Sequence, residues 1–219
     1  MIRSMCGRFI SPPAADIERH WHLDPGEAYR QSFNVAPSQD VWIIRDAKNG
    51  EREIAAFRWG FRPQWAKREW INARSETAFD SKAFAPAALK HRCLVPAIGW
   101  YEWSGEKPAR QPHALHLEGF APFAFAGIYT ARETESGWQP SFAILTRPAT
   151  PALSAIHTRM PVVLGPAQYA PWLDRAASRA TAEAQITQPF APIQSYPVST
   201  LVNRPANDSP ECLRRVDLG

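Results

Sequence analysis

The pattern of apolar and polar residues divides the chain into many short strands and a few short helices. The strand-like runs are Val41 to Arg45, Glu53 to Trp59, Arg92 to Trp103, Ala114 to Leu117, Phe123 to Thr130, Ser141 to Thr146 and Arg159 to Leu164. The helical segments are Pro13 to Leu23, Thr77 to Leu89, Pro166 to Leu173 and Arg175 to Ile186. Asn49-Gly50 predicts a hairpin turn, and the tail from Pro189 is proline-rich. Strands in the middle with helices towards the ends predict one α+β domain.

Composition is typical of a globular protein with an ordinary core. The chain has 219 residues, of which 45% are hydrophobic and 21% charged. No run of 18 apolar residues and no signal-peptide pattern is present, so we expect a cytoplasmic monomer without a membrane segment. The net charge of +4 permits a polyanionic partner without requiring one, and any exposed member of the 9 tryptophans could stack on unpaired bases.

Cysteine and histidine spacing gives no metal pattern. The cysteines are Cys6, Cys93 and Cys212. The histidine pairs are His20 with His22 and His113 with His116. An odd number of cysteines without CxxC spacing predicts neither a zinc site nor a disulfide framework, and favours a reducing compartment. No acidic cluster accompanies either histidine pair, so we expect surface or half-buried histidines and no metal or cofactor.

The segment Met5-Cys6-Gly7-Arg8-Phe9 offers unusual chemistry if translation begins at Met5 and that methionine is removed. A leading Cys6 would carry an α-amine and a thiol on adjacent carbons. The amine, with a pKa of about 7.7–8.0, can form a Schiff base with an aldehyde, and the thiol can then close a thiazolidine. Residues 1–4 look like an extension, and with them in place Cys6 would lack its amine.

Two polar clusters lie in apolar contexts in the middle of the chain. Asn72 and Arg74 are two residues apart and share one face if that segment is extended. Glu102 is surrounded by three aromatic residues, and apolar surroundings raise the pKa of a carboxyl towards the range of a general acid or base. Taken singly, each has a structural reading as well: a turn cap, a solvated arginine or a paired carboxylate.

Two further polar positions end apolar strands. His157 and Arg159 lie at the mouth of one strand, and Thr146 ends another with a hydroxyl. His157 read alone is a satisfied buried histidine. With a leading Cys6, however, these residues complete a set that contains a nucleophile, a positioning group, proton-transfer groups and anion contacts.

Five motifs in order then resemble one family. They are Met5-Cys6-Gly7-Arg8-Phe9, Asn34-Val35-Ala36-Pro37, Ile71-Asn72-Ala73-Arg74-Ser75-Glu76-Thr77, Gly99-Trp100-Tyr101-Glu102-Trp103 and Ile156-His157-Thr158-Arg159-Met160-Pro161. Their series is similar to that of the SRAP (SOS-response-associated peptidase) proteins, regarded as abasic-site shielding proteins. The resemblance implies a single SRAP domain at 5–219 after an extension at 1–4. It also implies a barrel-like mixed central sheet flanked by short helices.

The resemblance implies a covalent trap for abasic sites in single-stranded DNA, acting in the DNA damage response. The Cys6 amine would attack the sugar aldehyde, and its thiol would close the thiazolidine. Glu102 would act as general acid and base, and His157 would exchange a proton with the sugar oxygen as the ring opens. Asn72 would hold the terminal residue in position.

The resemblance also implies a DNA-contacting surface. Candidate phosphate contacts are Arg8, Arg74, Arg159 and, more weakly, Thr146. Pro37 and Trp65 would pack against bases beside the lesion, Trp65 from a loop that runs from Gly60 to Trp70. The family often has a larger aromatic pair in this loop, whereas the neighbour here is Ala66. The protein would associate with the nucleoid when bound to DNA.

Two alternative functions remain open from the sequence. A cysteine-dependent peptidase or self-cleaving protein would pair the Cys6 thiolate with His157 and would need no free amine. A non-covalent single-stranded DNA-binding protein would use only the basic and aromatic surface.

Overall fold

A computed structural model of the chain describes residues 6–47, 50–106, 108–188 and 191–218. The proposed extension at 1–4, Met5, and Asn49 of the predicted hairpin turn lie outside the described residues.

A closed five-stranded barrel forms the centre of the described structure. Its strands are β2 (Asp40–Asp46), β3 (Arg52–Trp59), β5 (Arg92–Ala97), β8 (Phe123–Thr134) and β9 (Gly137–Pro148). Each strand pairs with the next in the order β9, β3, β2, β5 and β8, and β8 closes the ring on β9. The β3–β9 pair is parallel and the others are antiparallel, which confirms the predicted barrel-like mixed sheet.

Shorter strands extend this barrel and build a second sheet. β4 (Asn72–Arg74) and β10 (Arg159–Pro161) pair with β9, and β11 (Val163–Leu164) pairs with β8. The second sheet has the order β1 (Phe9–Ile10), β6 (Gly99–Ser104), β7 (Gln111–His116) and β12 (Gln194–Pro197). The α-helices are α1 (Ala14–Trp21), α2 (Ser75–Ala78), α3 (Ala85–Lys90), α4 (Pro166–Leu173) and α5 (Arg179–Thr187). Short 3-10 helices cover Glu118–Phe120, Thr200–Asn203 and Pro210–Leu213.

Aromatic packing fixes β1 against the barrel. The fully buried ring of Phe9 lies 5.2 Å from the ring of Trp59 and 5.8 Å from that of Phe125, in edge-to-face geometry. Such pairs add about 0.5–1.5 kcal/mol to the free energy gained by burial. The first described strand is therefore held firmly, and so is the residue three positions before Phe9, Cys6.

Several sequence predictions need correction. The predicted helix from Thr77 to Leu89 is instead two short helices, because Pro86 is tolerated only in the first turn of a helix and lies in the first turn of α3. The predicted β-rich run from Arg92 to Trp103 is divided at Ile98 between the barrel and the second sheet. The last α-helix begins at Arg179 rather than Arg175 because Ser178 caps it, accepting a hydrogen bond from the backbone of Thr181. The helix Pro166–Leu173 is confirmed.

Within the described ranges, no helix combines the length and the apolar character that a membrane crossing requires.

Candidate active site

The pairing of β1 with β6 brings Cys6 to Glu102. Phe9 lies opposite Trp100 in the register, and the Tyr101 amide donates to the Arg8 carbonyl at 3.0 Å. Continuing in this direction, the backbone nitrogen of Cys6 donates to Oε1 of Glu102 at 2.9 Å. Two residues separated by 96 positions are thus joined at the end of a strand pair.

Glu102 is buried among apolar groups. Its exposed fraction is 2%, and burial raises its pKa to about 8, although the hydrogen bond from the Cys6 backbone opposes the rise. A carboxyl with this pKa can both hold and release a proton near neutral pH. The sequence-based expectation of an elevated pKa agrees with this environment.

Cys6 itself is buried, with 1% of its surface exposed. Burial, and after it the charge of Glu102, raise the pKa of the Cys6 thiol well above its ordinary value. Cys6 also has a φ of 34°, in a region that residues other than glycine seldom adopt. The site therefore disfavours a thiolate at Cys6 and constrains the backbone there.

Asn72 approaches Cys6 from the opposite side. It lies in β4, which runs parallel to β9, so Asn72 and Arg74 share one face of an extended strand, as predicted. The side-chain Nδ2 of Asn72 donates to the Cys6 carbonyl at 3.4 Å. Glu102 and Asn72 thus contact the two ends of the Cys6 backbone.

His157 lies close to Glu102, and the two residues face the same tightly packed crevice together with Trp100 and Met160. Nδ1 of His157 is 3.1 Å from both the backbone N–H and the carbonyl oxygen of Arg159. The neutral ring can accept from that N–H at Nδ1, and a ring protonated there can donate to that carbonyl. Either tautomer of the His157 ring therefore has a backbone partner at Nδ1.

Arg159 is held at the edge of the site by an ion pair that the sequence reading missed. Its guanidinium pairs with both carboxylate oxygens of Glu76 and donates to the backbone oxygen of Thr146 at 2.7 Å. This arginine, as the first cause, holds the pKa of Glu76 below its usual range. Glu76 stands within the quoted motif at residues 71–77, but nothing in its local pattern marks Arg159 as its partner.

Thr146, expected as a weak phosphate contact, is fully buried. Its hydroxyl is 3.4 Å from the Ala73 carbonyl and 3.1 Å from the Arg159 guanidinium. In this arrangement Thr146 contacts the arginine side chain from inside the protein rather than from the surface.

Arg8 is also engaged within the protein. Its Nη1 donates to Oδ1 of Asn34 at 3.1 Å and to the Val202 carbonyl at 2.6 Å, while its Nη2 donates to the Asn203 carbonyl at 3.3 Å. Asn34 is 1% exposed, and its Nδ2 lies within 3.2 Å of the carbonyls of Val202, Arg204 and Asn207. Arg8 and Asn34 together fix the segment at 202–207 beside β1.

The remaining candidates for DNA contact lie at the surface. Arg74 is exposed and Pro37 is half-buried. Trp65 is 59% exposed and its ring lies 6.1 Å from that of Trp70, whereas Ala66 is buried. Ala66 therefore presents no second ring to solvent in this loop.

The histidine pairs make ordinary contacts. His20 lies 3.2 Å from the hydroxyl of Tyr169, and His113 lies 2.8 Å from the hydroxyl of Ser104. His116 stacks on Phe120 with a centroid distance of 4.0 Å. Among the described residues, no three histidine, cysteine or acidic side chains converge as metal ligands.

Several known proteins are similar to this chain in sequence. The abasic site processing protein YoqW of Bacillus subtilis is 35% identical over 224 residues, covering 95% of this chain and 99% of that protein. YedK of Escherichia coli, also an abasic site processing protein, is 30% identical, covering 97% of this chain and 100% of that one. HMCES of Gallus gallus, another, is 30% identical, covering 87% of this chain and 68% of that protein.

Solved structures share the fold. A crystal structure of a protein from Bacteroides thetaiotaomicron superposes with a TM-score of 0.84 at 22% identity, covering 97% of this chain and 100% of that chain. A phage-related protein of Bordetella bronchiseptica gives a TM-score of 0.72 at 31% identity, covering 88% of this chain and 94% of that one. The family model described as SOS response associated peptidase (SRAP) matches residues 5–205. The chain therefore belongs to the SRAP family.

Proposed function

We propose that this protein processes abasic sites in single-stranded DNA by capturing them covalently through Cys6, once Cys6 is the first residue of the chain. The curated relatives are named abasic site processing proteins, which supports the lesion as substrate. The observation that carries the mechanism is the 2.9 Å contact between the Cys6 nitrogen and the buried carboxyl of Glu102.

The proximity of Glu102 provides a way to generate the nucleophile. A free α-amine at Cys6 would share a proton with Glu102 as a coupled pair. Because burial disfavours the charged ammonium–carboxylate pair, the proton can move to the carboxylate and leave a neutral amine. The pair thus produces an attacking nitrogen and a carboxylic acid together, without an external base.

The reaction then proceeds in two bond-forming steps. The Cys6 nitrogen adds to the aldehyde carbon of the ring-opened sugar, and the resulting hydroxyl leaves as water with a proton from Glu102. The iminium nitrogen then returns a proton to Glu102, which gives the imine. The Cys6 thiol next adds to the imine carbon, forming the carbon–sulfur bond, while its proton passes to the nitrogen. One water is lost overall. His157 exchanges a proton with the sugar oxygen as the ring opens, and Asn72 holds Cys6 in place.

The peptidase alternative requires a Cys6 thiolate, whereas the site raises the pKa of that thiol well above its ordinary value. Capture by an amine needs only a neutral thiol in its second step.

The surface residues supply DNA binding in this proposal. Arg74 contacts phosphate from its exposed position, and Arg159 does so from its place beside Glu76. Pro37 and Trp65 pack against bases that flank the lesion. Arg8 and Thr146 contribute indirectly in this proposal. Arg8 fixes the segment at 202–207, and Thr146 fixes the Arg159 side chain.

The decisive experiment compares three proteins on one abasic oligonucleotide. A chain that begins at Cys6 forms a heat-stable crosslink, whereas Cys6→Ala and a chain that retains the residues before Cys6 form none. Intact mass of the crosslinked species equals protein plus DNA minus one water. A non-covalent binder would give no crosslink with any of the three, and an unimpaired Cys6→Ala would exclude Cys6 as the nucleophile.

A further inference from the structure

One arginine joins the two surface segments that carry Pro37 and Trp65. Arg58, near the end of β3, donates from Nε to Oε1 of Glu69 at 3.1 Å and from Nη1 to the Ser38 carbonyl at 2.7 Å. Ser38 follows Pro37 in a turn, and Glu69 closes the loop at 60–70 that presents Trp65. A single guanidinium therefore fastens the turn to the loop.

The Pro37 turn has a second link to the same carboxylate. The Ser38 hydroxyl is 3.4 Å from Oε2 of Glu69, and the Ser38 amide donates to the Trp59 carbonyl at 2.8 Å. Ser38 has a φ of 70°, a left-handed conformation that non-glycine residues adopt only when their surroundings impose it. These contacts impose it.

The loop transmits this anchoring to Trp65. Phe61 and Trp70 exchange backbone hydrogen bonds of 2.9 Å and 3.0 Å, which close the loop at its base directly beside Glu69. The Trp70 ring in turn lies 6.1 Å from that of Trp65. The position of Glu69 thus bears on the position of an exposed indole four residues away.

We propose that Glu69, through Arg58 and Ser38, is a positioning residue that holds Pro37 and Trp65 at a fixed separation for the bases on either side of the abasic site. We call this set of contacts the Arg58–Glu69 latch. The proposal rests on the proposed function, in which those two residues contact DNA. Because both segments are already held in place, DNA binding loses less conformational entropy and its free-energy cost is lower.

Electrostatics alone predicts the opposite change in DNA affinity when the Glu69 carboxylate is removed. A carboxylate on a phosphate-binding face repels DNA, so its removal would strengthen binding if it had no positioning role. The Arg58 and Glu69 side chains keep 31% and 26% of their surface exposed, so water screens part of the contribution of this pair to folding. The sign of the change in DNA affinity therefore separates positioning from electrostatics.

Gly60 offers a variant that opens the latch without changing charge. A Cβ at this position would lie 2.6 Å from Oε2 of Glu69, so alanine forces the carboxylate away. The displaced group is the flexible end of a side chain, and the fold therefore tolerates the change. Asp40→Asn is the matched control, because exposed Asp40 lies opposite Arg58 in the β2–β3 register and loses the same charge as Glu69→Gln.

The test uses the chain that begins at Cys6 and a single strand with a central tetrahydrofuran residue, which lacks the aldehyde and reports non-covalent affinity. Glu69→Gln and Gly60→Ala each weaken binding about fivefold, whereas Asp40→Asn binds as tightly as the wild type or more tightly. With an aldehyde-bearing strand, the DNA concentration for half-maximal crosslinking rises by the same factor and the maximal rate stays unchanged.

Two affinity results would overturn the positioning role: Glu69→Gln binding more tightly in parallel with Asp40→Asn, or Gly60→Ala binding as tightly as the wild type. A lower maximal rate with unchanged half-saturation would also overturn it, because it would place Glu69 in the chemistry. If the wild type forms no crosslink, the proposed covalent function is wrong. Affinity for the tetrahydrofuran strand still tests the Arg58–Glu69 latch in that case.

Discussion

The centre around Cys6 and the rim that carries Pro37 and Trp65 are built on opposite principles. At the centre, Glu102 and Cys6 are almost completely buried, and their environment shifts the pKa of each. At the rim, Trp65 is 59% exposed and is placed by backbone bonds and one ion pair. Burial tunes reactivity at the centre, whereas the rim keeps surface available for a strand. Changes at the centre should therefore alter rates, and changes at the rim should alter affinity.

The largest effect is expected from Glu102→Gln in the chain that begins at Cys6. The amide keeps a hydrogen bond to the Cys6 nitrogen but cannot take its proton or return one to the leaving hydroxyl. The maximal crosslinking rate should fall by about 10²–10⁴-fold, as for the loss of a general acid and base. Binding to a tetrahydrofuran strand should change less than about twofold. Single-turnover crosslinking over a range of DNA concentrations separates the two quantities.

Glu106→Gln is the control for Glu102→Gln, since Glu106 is an exposed glutamate that follows the end of β6. If Glu102→Gln weakened affinity and left the maximal rate intact, the division between centre and rim would be wrong.

A smaller effect is expected from Trp65→Ala at the rim. Loss of one base–aromatic contact costs about 1–3 kcal/mol, or about 5- to 150-fold in affinity. The maximal crosslinking rate should stay as it is, because Trp65 touches none of the reacting groups. Fluorescence anisotropy with a labelled tetrahydrofuran strand measures the loss.

Trp138→Ala provides a matched control for Trp65→Ala, since Trp138 is 70% exposed and lies on the β8–β9 hairpin. Equal losses of DNA affinity in both variants would show that any exposed indole contributes to binding. They would also contradict a specific role for the rim that carries Pro37 and Trp65.

The last prediction concerns stability and uses the chain that retains residues before Cys6, where the Cys6 nitrogen is an amide. The folded-state pKa of Glu102 is raised to about 8, above an unfolded value of about 4.3. The folded state then binds more protons between these values, so this group's contribution to stability is present below the unfolded value and declines as pH rises through about 8. Denaturant unfolding of wild type and Glu102→Gln across this window should show a decline that the variant lacks.

Much of the centre could be anticipated from the sequence because its residues stand in distinctive local patterns. Glu102 among aromatic residues predicts a carboxyl with a raised pKa, and that environment is present. Even the break in the helix expected from Thr77 to Leu89 was readable, since Pro86 stands inside it.

The ion pairs at the edge of the centre and at the rim could not be anticipated in the same way. The pairing of Arg159 with Glu76 joins residues 83 positions apart, and that of Arg58 with Glu69 depends on the closure of a loop. Arginine and glutamate are common on surfaces, and local pattern does not tell which pair will meet. Such contacts depend on how the strands are connected and paired. The hydrophobic periodicity of an individual β-strand does not determine that topology.

The anchoring of Arg8 has a consequence for the order of assembly. Its acceptor at Val202 lies 194 residues later in the chain, so the Arg8 side chain can acquire that partner only after residue 202 has been synthesised. Domains acquire their structure as the polypeptide emerges, and a segment waits when its neighbours are synthesised late. Arg8 is thus among the residues whose contacts form late, because it is synthesised long before its partner.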